Sequence, residues 1–256
     1  MRFRQILPLI LSTLAFASAA FAQTPPQQPV IRVPDGGTSG RMESIFIPPK
    51  ARAPFSFTLV TEWARPLGNG GTFTLTNERH IVRDSKGRIY QERWILVPKG
   101  GKIKFHMDVF QITDPDEHTW YNCITATKVC DLYPYHLTTQ DKFQPAIGTS
   151  GPLPNGNGFR QHEDLGLNST EGMDTHGYRE TTTINAGVMG NDKPMVAIRE
   201  FWYSPHLAVN LISTVDDPQS GKQVFTVKDL SISEPEPNYF EVPAEYKIVD
   251  RLNEKD

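Results

Sequence analysis

The chain has 256 residues, with 26 basic against 29 acidic side chains and a formal charge of -3. Its basic residues are scattered rather than gathered on one stretch, which argues against partners held by counterion release, nucleic acid and anionic lipid alike. Length alone admits one large β domain or two small ones, with ample chain to bury a core.

Arg2 and Arg4 precede an apolar run from Ile6 to Phe16, and Ala20-Phe21-Ala22 supplies a small-x-small cleavage site. This is the pattern of a secretory signal peptide, removed after Ala22. About a dozen apolar residues are too few to span a bilayer and no stop-transfer pattern follows, so the sequence predicts an exported, periplasmic or extracellular protein without a transmembrane anchor. Cleavage removes two arginines and no acids, leaving 24 basic and 29 acidic residues and a charge of -5.

Residues 23–50 are rich in proline, glutamine and glycine and read as a mobile leader. From Phe55 the pattern turns to strands. Phe55 to Trp63, Thr72 to Arg83 and Arg88 to Val97 are separated by the glycine-rich link 65–71 and the turn Asp84-Ser85-Lys86-Gly87. After Pro98-Lys99-Gly100-Gly101, residues Ile103, Phe105, Met107 and Val109 alternate with Lys102, Lys104, His106 and Asp108. That alternation predicts a half-buried antiparallel strand.

Cys123 and Cys130 are the two cysteines, each on a short strand candidate around a tight link. In an exported chain they are expected to form a cross-strand disulfide rather than a redox pair, because six residues intervene where redox chemistry favours two.

Between His136 and Glu171 prolines and glycines dissolve the pattern, predicting a long loop with one short helix over Phe159 to Leu165. A large hairpin follows, Met173 to Ile184 and Met195 to Tyr203. Further strands are expected from Leu207 to Val215, Lys222 to Ile232 and Tyr246 to Val249, before a polar tail over 251–256. The sum is a mainly β fold: one large curved antiparallel sheet of roughly ten strands, a half-barrel-like meander with one or two short helices, forming a single domain over 51–250.

Asp164-Leu165-Gly166, His176-Gly177-Tyr178-Arg179, Gly190-Asn191-Asp192, Glu200-Phe201-Trp202-Tyr203-Ser204-Pro205 and Val242-Pro243-Ala244-Glu245-Tyr246 together resemble a group of exported bacterial proteins of unknown function, over about Ser56 to Val249. More distantly, the meander followed by a hairpin is similar to the half-barrel of the lipoprotein-carrier (LolA/LolB-like) superfamily. That resemblance implies a non-enzymatic protein whose curved sheet takes an apolar or lipid-like ligand. An envelope scaffold that presents loop 136–171 to a protein partner is the first alternative, and a metal-dependent or other hydrolase centred on His162, His176 and Glu200 is the second.

The seven histidines form no His-x-His or His-x-x-x-His pair, so nothing preassembles a metal site on one element. No Gly-x-Ser-x-Gly elbow is present, and the glycines of 187–191 lack the lysine and helix of a phosphate loop. The sequence therefore names no catalytic residue, cofactor or metal ligand. Its candidates for a ligand groove are His176, Arg179, Glu200 and Trp202. Alternation puts Arg179 opposite the face of His176, Tyr178 and Glu180, and allows it to meet Glu200 across the ladder. Trp202 and Tyr203 point to opposite faces, so one is expected to be buried and the other available to a groove, with core packing the expected role of Trp202.

Overall fold

The computed structural model describes residues 45–136 and 148–253. The signal peptide, most of the leader and part of the loop after His136 lie outside them. The described residues fold into one curved, open sheet of 14 strands with almost no helix.

The strands are β1 (Phe55–Pro66), β2 (Thr72–Arg83), β3 (Ile89–Trp94), β4 (Val97–Pro98), β5 (Met107–Asp114), β6 (Thr119–Ile124), β7 (Val129–Pro134), β8 (Gly151–Pro152), β9 (Gly158–Thr170), β10 (Met173–Ile184), β11 (Met195–Ser204), β12 (Val209–Asp217), β13 (Gly221–Ser231) and β14 (Lys247–Asp250). Their spatial order is β14-β7-β6-β5-β3-β2-β1-β13-β12-β11-β10-β9-β8, with the short β4 beside β2. Two meanders thus join at the β1–β13 seam. One departs from β1 toward β7, the other returns from β8 to β13. The sheet is mixed rather than purely antiparallel, because β14 runs parallel to β7.

Period-two alternation decides which side chains are buried. Phe55, Phe57, Leu59 and Thr61 of β1 are buried, as are Gln223, Phe225 and Val227 of β13 and Val209, Leu211 and Ser213 of β12. These share one face of the sheet. Ile45 and Ile47 join its apolar cluster with Ile81, Ile89 and Leu207, so the end of the expected leader is core. Arg83 holds that segment in place. Fully buried, it donates to the carbonyls of Pro48, Ala53 and Leu207 at 2.7–3.0 Å and lies over the ring of Phe55. Burial pushes its guanidinium down to about 9, so it remains charged at neutral pH.

The opposite face has a second apolar cluster over β2, β3 and β5 to β7. Val82, Phe110, Ile112 and the Cys123–Cys130 disulfide pack under Tyr239, Phe240 and Tyr246 of the C-terminal segment. The cysteines are directly paired across β6 and β7, as the sequence predicted.

Three expectations need correction. Phe159 to Leu165 is no helix but part of the 13-residue β9, which takes up the last third of the expected loop. The two-residue turn Glu171-Gly172, with φ of 50° and 75°, closes β9 tightly onto β10; Gly172 provides the left-handed backbone that such turns demand. The strand predicted from Lys102 begins only at Met107, and Ile103 and Phe105 are exposed. Among the described residues no strand pairs 102–106, and all five are exposed, so their alternation has no buried face to report.

Candidate functional site

The hairpin β10–β11 and its neighbour β9 carry the candidate residues. Arg179 lies opposite Glu200 on β11 and Glu163 on β9. It donates from Nε and Nη2 to Glu200 Oε2 at 3.1 and 2.9 Å, and from Nη1 to Glu163 Oε2 at 2.9 Å. These bonds, Glu200's foremost, raise its pKa above the ordinary value. Trp202 Nε1 donates to the other oxygen of Glu200 at 3.1 Å. The Trp202 ring covers Gly177, where a Cβ would stand only 2.7 Å from it. Arg179, Glu200 and Trp202 therefore form one row of mutually satisfied side chains. The guanidinium is committed to two carboxylates.

His176 is on the opposite face, with Tyr178. His176 Nε2 meets Asp164 Oδ1 at 2.6 Å, and the Tyr178 hydroxyl meets His176 Nδ1 at 2.9 Å, the two rings 4.5 Å apart. A bulge at Leu165 and Gly166 aims Asp164 at the histidine, and the Gly166 N–H also donates to its carboxylate. That N–H and the His176 contact hold Asp164 below its usual pKa. An Asp-His-Tyr chain has the connectivity of a nucleophile relay, but burial and the Asp164 charge push the Tyr178 phenol up, the reverse of what an activated nucleophile needs.

Tyr203, not Trp202, is the buried member of its pair. Its phenol is raised by burial and then by Tyr178, with Arg83 opposing.

The four sequence candidates do not converge. Three share one face and His176 takes the other. The hydrolase constellation is also dispersed: His162 meets Glu180 at 3.7 Å, His176 meets Asp164, and Glu200 faces away from both. Among the described residues no three His, Cys, Asp or Glu side chains gather where they would share a metal ion.

The sequence reading missed a buried polar belt on the face that carries the apolar cluster. Gln91 of β3 donates to Gln111 of β5 at 3.3 Å, and Gln111 to Asn122 of β6 at 2.9 Å, an amide ladder across three strands. Gln91 and Gln111 are 0% and 2% exposed. The ladder ends unsatisfied: among the described residues Gln91 Oε1 has no hydrogen-bond partner, nor have the buried Thr113 Oγ1 and Asn77 Oδ1 on β5 and β2. Register puts Thr113 opposite Ile89 and Gln91 opposite Ile81, so orphaned oxygens adjoin apolar core residues. Glutamines at inward positions of alternating strands were the available signal.

No family model matches the chain, and no curated protein matches it. Solved structures do. They include the MucA/MucB complex of Pseudomonas aeruginosa, at 14% identity and TM-score 0.39 over 77% of this chain and 58% of that one. An uncharacterized conserved protein of Thermus thermophilus matches at 10% identity and TM-score 0.38, over 78% and 91%. A LolA superfamily protein of Nitrosomonas europaea matches at 7% and 0.29, over 74% and 90%. The chain thus has a distant fold-level likeness to LolA superfamily proteins, and it spans less than two thirds of the MucB chains that it matches. Likeness at this level transfers no residue role.

Proposed function

We propose that this protein binds an amphipathic, lipid-like molecule on the sheet face bearing the apolar cluster and the amide belt. One observation carries the reading: three buried oxygens without a hydrogen-bond partner among the described residues, on β2, β3 and β5, lie on the same face as Ile81, Ile89, Phe57 and Leu59. An unsatisfied buried polar atom costs about 1–3 kcal/mol. A ligand with an apolar body and a hydroxyl or amine donor offsets that cost, the body against the aliphatic cluster and the donor on Gln91 and Thr113. The committed side chains of Arg179 and Glu200 then act as scaffold, and the Asp164-His176-Tyr178 chain fixes the strands beside the binding face.

Native mass spectrometry and solvent extraction of the purified protein test this directly. The expected result is a co-purified amphiphile whose retention drops in Gln91→Leu and Thr113→Val variants. Absence of any bound molecule, together with failure to bind a fluorescent fatty amine or alcohol, overturns it.

A further inference from the structure

Strand register sorts the turns of the sheet onto two rims. One rim gathers 65–73, 98–106, 125–128, 158–160, 185–196 and 217–222, because β1, β2, β5, β7 and β9 to β13 all start or end there. Two properties coincide on it. Eight of the twelve exposed large apolar side chains among the described residues lie there, Ile103, Phe105, Val188 and Met189 among them, with Ile103 59% and Met189 58% exposed. The same segments hold eight lysines and arginines against two acids, Asp192 and Asp217, with Glu245 a third in the turn 243–246 that leads into β14 beside Lys128. The turns of the opposite rim, 50–54, 84–88, 114–118, 170–173, 205–208 and 232–236, hold four basic residues against seven acidic ones.

We infer that the first rim is a docking surface for an anionic lipid bilayer. An apolar side chain projected from a turn gains by entering the interfacial region, while neighbouring lysines gain at the anionic head groups. Residues 102–106 meet that description by themselves: Ile103 and Phe105 alternate with Lys102 and Lys104 in a segment that no strand among the described residues pairs. The charge asymmetry turns the acidic rim away from the same surface, so a chain of net negative charge docks in one orientation. Linear sequence hid this, because the basic residues gather only when the strands align. The inference does not depend on a ligand within the sheet.

Co-sedimentation of the full chain with vesicles of phosphatidylethanolamine and phosphatidylglycerol at about 3:1 is the test. Binding is expected there, with a loss of about tenfold or more on vesicles of phosphatidylcholine alone or at high ionic strength. The double variants Ile103→Asp/Phe105→Asp and Lys102→Glu/Lys104→Glu each lose about tenfold, whereas Ile232→Asp and Leu167→Asp, away from this rim, bind as the parent does. Absence of vesicle binding overturns the inference, as does binding that survives both rim variants. So does sedimentation of the chain as a dimer that Phe105→Asp dissociates, which would assign the rim to a second copy.

Discussion

Arg179 gives two of its N–H groups to a single oxygen of Glu200, leaving the other oxygen to the Trp202 indole. One carboxylate thereby ties a cross-strand cation to an aromatic ring two residues along its own strand. The same pairing recurs on β3, where Trp94 Nε1 donates to Glu92 at 2.7 Å and Tyr90 bonds the other oxygen. Both arrangements are on the sheet face away from the amide belt. Because Arg179 and Glu200 are about a third exposed, solvent screens their attraction. A double-mutant cycle of Arg179→Met and Glu200→Gln, read by urea unfolding, is expected to give a coupling of about 0.2–1 kcal/mol.

Gly177 is small because Trp202 and Leu165 leave no room above it. Gly177→Ala is expected to destabilise the protein by about 1–3 kcal/mol in thermal unfolding. Trimming the ring should relieve the clash, so the penalty is expected to shrink in a Trp202→Leu background; an unchanged penalty would mean that the backbone, not the ring, resents the methyl group.

Arg83 binds three carbonyls from two distant segments. Arg83→Met leaves those acceptors buried and is expected to cost about 3 kcal/mol. Limited proteolysis should then cut within 45–54 faster than in the parent. Arg83→Lys is expected to restore little, since a single ammonium cannot span the three acceptors as the planar fork does.

Replacing both cysteines by serine opens a ring of about eight residues, and chain entropy puts the loss at about 2.5 kcal/mol. Denaturant midpoints of the two forms, compared without reductant, measure it.

The Gly166 N–H and then His176 hold the folded pKa of Asp164 below its ordinary value, so its contribution to stability is fully present above that ordinary value and is lost as pH falls through the depressed one. Carbon-detected NMR titration should find the Asp164 carboxyl changing below the ordinary carboxylate range, and Asp164→Asn should flatten this part of the acid limb. A midpoint at or above the ordinary value would remove the Gly166 and His176 contacts as its cause.

The hairpin was legible because alternation leaves few registers: once Arg179 and Glu180 must take opposite faces, Arg179 meeting Glu200 is among the natural pairings. The disulfide was legible from compartment and spacing. The strand β9 was not, since its charged residues point to both faces near the edge of the sheet and show no apolar period, while Gly166 looks like a helix stop although it serves a bulge. Residues 102–106 failed in the opposite sense, because alternation records two chemically different faces without saying what covers the apolar one. The amide belt went unread because Gln91 and Gln111 resemble surface residues until the curved sheet buries them. The parallel pairing of β14 with β7 depends on a contact across more than a hundred residues, which no local pattern encodes.

The flanks of the sheet end differently, and this bears on how the protein behaves at high concentration. β14 occupies the outer side of β7, whereas among the described residues the strand β8 pairs only with the start of the long β9. An uncovered strand recruits others of its kind into ordered aggregates unless something repels them. Here Arg160, Glu163 and Asp164 line the outermost long strand, and the bulge at Leu165 and Gly166 bends it out of register with a flat partner. Among the described residues, this edge is guarded by a few charges and one extra residue in β9. Changes that neutralise this strand while leaving the core untouched would yield protein that folds correctly and then precipitates.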